Sequence, residues 1–409
     1  MFSLLQIAIR NVLRNKRRTA ITLAALLVGV TVMVSIRGTL NGLQRSLVQN
    51  VVNGQTGALQ VHRTGFLKNV LSSPLSMDMP QDAAFEKKML AIPHVTAVSP
   101  RILFAGMINV GDQTIFLGVQ AVDPSREFKV VPLRAATIED KQQFASGKVK
   151  DAMVVTEQLQ KALNGSNLPK DAPAAILAPD KDGALSGENV TLTGPMKLNM
   201  PGEKKVGMVR LDVAQRLLKM EGRATEYIVA VDDIDNIPTV AKAMQAALGK
   251  DYEVSTWEDI ATFVKQAMQR QNVILNLVAI VFMILMLLGV ANTMLMSVLD
   301  RTREIGTMMA VGVRRSKILG LFLMEAATIG ALGGVLGGAM GSLIVVVLHQ
   351  RGISVTFPGS NVPFVIQPFV TPSYLFGVVS LAGAGALLFA VYPAWRASRL
   401  RPVEALAGG

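Results

Sequence analysis

Cysteine is absent from the 409-residue chain, so disulfides and thiolate metal sites are both excluded. Histidine is nearly absent. His62, His94 and His349 are scattered, with no HExxH spacing to seat a zinc ion. No GxSxG or SxxK occurs, which removes a nucleophile elbow and a Ser–Lys pair. Lys148 and Lys250 each follow a glycine, but Val149 and Asp251 come next, so there is no Walker A loop. The acidic pairs Asp232–Asp233 and Glu258–Asp259 sit in turn or helix-start contexts and read as solvated. Charge itself is scarce, at 17% of residues against about a quarter in an ordinary soluble protein.

What fills the space is apolar: half of the residues, gathered into four runs long enough to cross a membrane. The predicted spans are residues 20–38, 272–299, 318–348 and 373–395. The first follows Arg14, Lys16, Arg17 and Arg18 but no small-residue cleavage site comes after it, so it reads as a retained anchor. Residues 1–19, 300–317 and 396–409 together hold thirteen Lys/Arg against Asp300, Glu304 and Glu404. Residues 37–270 are close to neutral, with 27 basic and 25 acidic side chains. Nearly all of the net charge of +12 is therefore juxtamembrane, which withdraws support from nucleic-acid binding. The positive-inside rule puts both termini and the 300–317 stretch in the cytoplasm, and residues 39–271 and the loop 349–372 outside.

Residues 1–19 pattern as an interfacial helix, with Phe2, Leu5, Ile9, Val12 and Leu13 on one face and Gln6, Arg10, Arg14 and Arg17 on the other. Outside the membrane, Leu40, Leu43, Leu47 and Val51 continue the first span as an amphipathic helix, and Ile260, Phe263, Val264, Ala267 and Ile274 lead into the second. These read as two helical stalks. Between them, "GALQVHR", "QDAAFEKKMLAI" and the paired "VTAVSPRILFAGMINV" and "QTIFLGVQAVD" give strand, helix and strands. A second strand–helix–strand unit follows in "EYIVAVDD", "IPTVAKAMQAAL" and "YEVSTWED". The two predict a split α/β sandwich at 52–123 and 225–258, interrupted by a β-rich insertion at 124–224. Within the insertion, "NLPKDAPAAILAPDKDG" is rich in proline and charge and reads as a docking arm or a linker.

Inside the spans the only acid is Glu325, a functional candidate on that ground. At its depth, pairing with a cation of a neighbouring helix is the favoured alternative. Gly330, Gly334 and Gly338 form one small-residue rail and Gly333, Gly337 and Gly341 a second, with Ala382, Ala386 and Ala390 in the last span. Such spacing lets helix backbones pack closely. Between the second and third spans, "DRTREIGTMMAVGVRRSKIL" puts Ile305, Met308, Met309 and Gly312 on one face of a short helix, with Gly312 suited to end it and Ser316 to begin the next.

"REIGTMMAVGVRRSKI" resembles the coupling-helix motif of FtsX/MacB-type ABC transporter permeases, on Glu304, Ile305, Gly306, Ala310, Gly312 and the basic pair that follows. "FLMEAATIGALGGVLG", "AIRNVLRNKRRTAITLAALLVGV" and "YPAWRASRLRPVEAL" resemble other membrane parts of the same family, with Val313 standing where a small residue is usual. In appearance the chain is nearest to the lipoprotein-releasing permeases LolC and LolE, on "GALQVHRTGF" and "SPRILFAGMI". The resemblance implies an α-helical membrane protein of four transmembrane helices with a large α+β extracytoplasmic domain, a porter-like split sandwich carrying the β-rich insertion. It implies that Arg303, Glu304, Ile305, Gly306, Met309, Ala310, Gly312 and Arg314 couple to a cytoplasmic ATPase. It also implies pairing with a second permease copy or paralogue, contact with membrane lipid, and a periplasmic carrier or lipoprotein partner. The predicted cytoplasmic pieces are too short for a nucleotide domain, so ATP and Mg are expected in the partner and no cofactor in this chain. The function expected is lipoprotein release from the inner membrane. The alternatives are a tripartite efflux permease for peptides or macrolides, and a signalling permease gating a cell-wall hydrolase.

Overall fold

The computed structural model describes residues 16–72, 74–164, 171–197, 205–355 and 364–399. The interfacial helix read at 1–19 therefore lies outside them up to Asn15, as does the tail beyond Arg399. The helices are α1 (Lys16–Val51), α2 (Ala83–Leu90), α3 (Pro124–Val130), α4 (Pro132–Thr137), α5 (Lys141–Ser146), α6 (Glu157–Asn164), α7 (Leu211–Leu218), α8 (Ile237–Leu248), α9 (Trp257–Ile260), α10 (Thr262–Asp300), α11 (Thr302–Ala310), α12 (Arg315–Arg351) and α13 (Pro372–Ser398). The strands are β1 (Leu59–Arg63), β2 (Met79–Pro80), β3 (Val95–Val110), β4 (Gln113–Val122), β5 (Ala152–Thr156), β6 (Ala172–Pro179), β7 (Leu185–Met196), β8 (Val206–Arg210), β9 (Arg223–Ala224), β10 (Glu226–Val231), β11 (Tyr252–Thr256), β12 (Ile353–Val355) and β13 (Phe364–Ile366).

The chain divides into a helical unit (1–45, 268–354, 365–409) and an α/β unit (46–267, 355–364). Four helices, α1, α10, α12 and α13, are long and apolar enough to span a membrane. α1 runs unbroken to Val51 and α10 begins at Thr262, so the amphipathic stretches flanking the first two predicted spans are helical continuations of them. A large apolar surface remains open on these helices, as at Val273, Leu277, Leu285 and Leu388, which suits a hydrocarbon solvent. Inside the bundle, Leu26, Met283, Leu287, Val290, Met294, Ile329 and Ala386 form a core.

In the α/β unit one nine-stranded sheet runs in the order β11-β1-β10-β3-β4-β8-β5-β7-β6. The hairpin expected from residues 95–123 is present, paired from Val110↔Gln113 to Arg101↔Val122. β3 is long enough to serve two partners. Its first half pairs with β10 (Val98↔Val229), and its second half pairs with β6 (Met107↔Leu177), so that β3, β4, β8, β5, β7 and β6 close into a ring. Gly106 permits that closure, because a Cβ there would lie 2.8 Å from the Leu177 carbonyl oxygen. Of the strands inside 124–224, β6 pairs with β3 and β8 with β4, and β5 and β7 join them, so these four continue the same sheet.

One expectation fails here. The stretch read as a docking arm contains β6, which is paired on both edges, with β7 and with β3. Ala174, Ile176 and Ala178 point into the core with Phe104, Val155 and Leu192. Residues 165–170 of that stretch lie outside the described ones.

A second core feature is ionic. Arg101, on β3, donates through Nε and Nη2 to the Glu127 carboxylate, the closest contact being 2.5 Å. Its Nη1 reaches Glu226 Oε1 at 3.4 Å, and Glu226 Oε2 meets His62 Nε2 at 3.1 Å. All four side chains are within 2% of full burial. Burial opposes the charge of Arg101, but Glu127 and Glu226 outweigh it and raise its pKa above the ordinary value.

Candidate functional site

α11 is a nine-residue helix between two spans, and its own sequence explains how it is held. Ile305 is 1% exposed and packs with Val298, Ile318, Phe322, Ala394 and Ala397, while Met308 and Met309 lie half-buried on the same cluster. The helix ends in a paired-bond cap: the Gly312 amide donates to Met309 O (3.1 Å) and the Val313 amide to Met308 O (3.0 Å). This is the Schellman arrangement, which needs a left-handed residue after the cap. Gly312 supplies it with φ +92°. Val313, where a small residue was usual, packs against the same cluster as Met308 and supplies the apolar contact such caps favour. The next helix starts at Arg315 after Arg314 as cap, so Ser316 lies inside the first turn and does not cap it.

The predicted coupling residues therefore split by face. Arg303, Glu304, Ala310, Gly312 and Arg314 are exposed, whereas Ile305 and Gly306 are buried and Met309 is half-buried. Ile305, named with Glu304 among the coupling residues, is buried and anchors the helix to the bundle. Thr307 and Val311 complete the exposed face, and Val311 is 81% exposed. Val311 was not singled out from sequence; its signal was an apolar residue at the helix end, off the buried stripe.

Glu325 lies 3.3 Å from Arg301, which immediately precedes α11, and both side chains are about 95% buried. The acid thus meets a neighbouring helix cation. It ties α12 to the base of the short helix.

The two glycine rails face two different helices. A Cβ on Gly330 would fall 2.6 Å from Ala386 Cβ and 2.9 Å from the Ala382 carbonyl, and one on Gly338 would fall 3.0 Å from Leu375, all on α13. Gly334 is looser, at 3.3 Å from Ala382 Cβ. On the other side, Gly333 meets Leu26 Cβ (2.7 Å), Gly337 the Leu27 carbonyl (2.8 Å) and Gly341 Val34 Cβ (2.7 Å), all on α1. Thr31 adds a hydrogen bond from its hydroxyl to Gly337 O at 3.1 Å. α12 is thereby the central helix, with backbone contact on two flanks.

Among the described residues no group of three metal-ligating side chains converges. His94 pairs with Asp232, and His349 Nδ1 meets the Pro368 carbonyl oxygen.

Residues 276–402 match the FtsX-like permease C-terminal model and residues 19–247 the MacB-like periplasmic core domain, which covers more than half of the chain. The chain belongs to the FtsX/MacB-type ABC transporter permease family. The permease is similar to the macrolide export ATP-binding/permease protein MacB of Nitrobacter winogradskyi, at 28% identity over 97% of this chain and 58% of that protein. It is also similar to the probable syringafactin export ATP-binding/permease protein SyfD of Pseudomonas syringae pv. tomato, at 27% identity over 96% of this chain and 57% of that one. The permease thus spans less than two thirds of the length of these relatives. The solved periplasmic region of MacB from Actinobacillus actinomycetemcomitans aligns with 53% of the permease and 95% of that chain, at 10% identity and a TM-score of 0.37.

Proposed function

We propose that this permease transmits the motion of an ATPase carried on a separate subunit to its α/β unit, and that the exposed face of α11 is the contact. The observation that carries this reading is the fixing of a short helix from beneath by Ile305 and from its base by Arg301–Glu325, which leaves Arg303, Thr307, Ala310 and Val311 presented as a rigid surface. A push on that surface reaches α10 and α12 directly, because α11 is joined to both by one- and four-residue connections. ATP and Mg would sit in the ATPase and not in this chain. The relatives' names join ATP-binding and permease in one protein, so a fused nucleotide-binding domain is the alternative arrangement.

For the substrate, the names of those relatives support an export reading, macrolide or syringafactin, over lipoprotein release. The reading places α11 in the cytoplasm and the α/β unit in the periplasm, with a second permease copy and a periplasmic partner completing the assembly. Charge asymmetry supports this orientation.

The test is Val311→Asp. Being exposed, Val311 tolerates the change in the folded permease, but a carboxylate there places an unpaired charge in a packed contact. Loss of ATPase co-purification with unchanged thermal stability is expected. A variant that keeps the ATPase at wild-type yield and full transport removes α11 as the contact. Because the chain lacks cysteine, Thr307→Cys also reports orientation: it should label only after the membrane is permeabilised.

A further inference from the structure

Within the helical unit, a groove of about 480 Å³, counted to its open side, lies between α1 and α10, with Tyr374 of α13 also on its wall. Val32 and Ile36 on α1 and Leu275, Val278 and Phe282 on α10 make the wall largely apolar. Val32, Ile36, Val278 and Phe282 are exposed, so the groove faces whatever surrounds the bundle. Arg37 is the one charged residue that lines it.

Neighbouring elements hold that guanidinium in place. A Cβ on Gly42 would fall 2.5 Å from the Gln367 carbonyl oxygen, and the Phe369 amide donates to Gly38 O at 3.0 Å. The segment leading into α13 therefore lies directly against α1. It brings Tyr374, in the first turn of α13, to 5.7 Å from the Arg37 guanidinium, within cation–π range. From α10, Asn272 Oδ1 accepts from Arg37 Nη1 at 3.3 Å. Both partners are neutral, and among the described residues no other acceptor meets Arg37. An arginine carries five N–H donors, so most of them remain for an anion.

Charge at this end of the bundle is of one sign. The acids of the helical unit are Asp300, Glu304, Glu325 and Glu404. Asp300 closes α10, Glu304 lies on α11 and Glu325 pairs with Arg301, all toward the opposite end, and Glu404 lies beyond the described residues. Arg45, Arg270 and Arg351 lie at the Arg37 end with no acid to offset them. An anion therefore meets a favourable field, and a guanidinium suits a phosphate by pairing two N–H groups with two oxygens. The dimensions agree. From Asn272 to Phe282, α10 descends about 15 Å at 1.5 Å per residue. That is half of a hydrocarbon core of roughly 30 Å, the depth of one leaflet. Below Arg37 the groove offers only Asn276 as a hydrogen-bonding group, so a peptide backbone laid there would go unsatisfied, whereas an acyl chain would not.

We propose that the groove binds an anionic phospholipid of the surrounding bilayer, its phosphate paired with Arg37 and one acyl chain laid between α1 and α10. These are the two long helices that lead into the α/β unit, so the lipid sits where their spacing is set. Neither the ATPase contact on α11 nor the orientation of the chain in the membrane enters the argument, and the site stands or falls apart from both.

The whole permease is placed in nanodiscs holding equal amounts of phosphatidylglycerol and phosphatidylcholine, released into detergent and weighed by native mass spectrometry. Retention of one phosphatidylglycerol per chain, in preference to phosphatidylcholine, is expected. Arg37→Gln should lower that preference several-fold. Val278→Trp, which fills the groove from an exposed position, should remove bound lipid of either kind. Arg351→Gln, at the same end but off the groove, should change neither. Melting temperatures in detergent alone show whether the variants are folded, and Val278→Trp decides by itself if Arg37→Gln is not. Equal retention of the two lipids overturns the proposal, as does an Arg351→Gln loss as large as that of Arg37→Gln, which would assign binding to diffuse charge. Since the chain has no cysteine, Val278→Cys gives a last check: efficient disulfide-linked dimers in native membranes would put a second copy over the groove in place of lipid.

Discussion

In the helical unit the closest packing is made by residues with almost no side chain, whereas the α/β unit holds a core of large side chains and, elsewhere in it, a buried guanidinium. Gly330, Gly333, Gly337 and Gly341 bring α12 to within backbone contact of α13 and α1. Phe104, Met153, Leu159 and Leu217 fill the β ring, and Arg101 lies fully buried in the same unit between two carboxylates. Solvent accounts for the difference. Lipid tails are as apolar as leucine, so burying a leucine between membrane helices gains little, and close dispersion contact must do the work. In water the same burial contributes about 25 cal/mol per Å², so a sheet domain can be held by bulk and can tolerate an expensive ionic centre.

Removing a carboxylate from that ionic centre should produce the largest effect. Glu127 takes both the Nε and Nη2 donors of Arg101 and is itself 0% exposed. Glu127→Leu leaves the guanidinium with Glu226 at 3.4 Å and the Gln55 carbonyl, a loss expected to cost about 3–5 kcal/mol. Urea unfolding of the purified chain measures it. Arg101→Met and Glu127→Leu combined with Glu226→Gln, which removes the second carboxylate of the same cation and keeps a hydrogen-bond partner for His62, should recover most of that loss, since well-packed neutral replacements of a whole buried ionic group are often tolerated. A Glu127→Leu variant as stable as the parent would mean that the α/β unit, too, is held by packing alone.

Overpacking the glycine rail comes next. Gly330→Leu drives four heavy atoms into the Ala382–Ala386 backbone and is expected to cost roughly 1–3 kcal/mol or more, read as a lowered melting temperature in detergent. Gly289→Leu, on α10, is the control, because a Cβ there meets nothing within 4 Å. Equal effects at the two positions would show that helix propensity, and not close approach, sets the glycine content of the bundle.

Which of these features could be read from the sequence follows from how local each one is. The four spans and the β3–β4 hairpin depend on neighbours in the chain, by run length and by period-two alternation, and both are where the pattern put them. The glycine rails were visible through their spacing of four, although the identity of the helices they face was not. The burial of Ile305 was not legible, because an amphipathic helix between two spans shows two faces and gives no sign of which one meets the bundle. β6 was read as a docking arm or a linker because its inward residues, Ala174, Ile176 and Ala178, are mostly too small to show alternation, and its prolines and flanking charges suggest a loop. The network of His62, Arg101, Glu127 and Glu226 gave no signal, since the four are separated by up to 164 positions and meet only when β1, β3, α3 and β10 assemble.

The smallest effect expected is at an exposed counterpart of that network. His94 Nδ1 lies 2.8 Å from Asp232 Oδ2, both about half exposed, and Asn236 Nδ2 donates to Asp232 Oδ1 at 2.9 Å. These hydrogen bonds, with His94 the larger contributor, hold the Asp232 carboxyl at about 2, below an ordinary value near 3.9. The depressed value means that the unfolded chain takes up this proton first on acidification. The contribution to stability is therefore complete above about pH 4 and is lost as pH falls through about 2. His94→Asn tests it, because His94 has φ +71° and asparagine tolerates that left-handed backbone. Carbonyl NMR should show Asp232 titrating closer to the ordinary range in the variant, with a change in neutral-pH stability that is small and shrinks further in salt. An Asp232 that titrates at the same pH in both proteins would assign the depression to Asn236 and the local backbone, leaving ionic pairing to matter in the α/β unit only where it is buried.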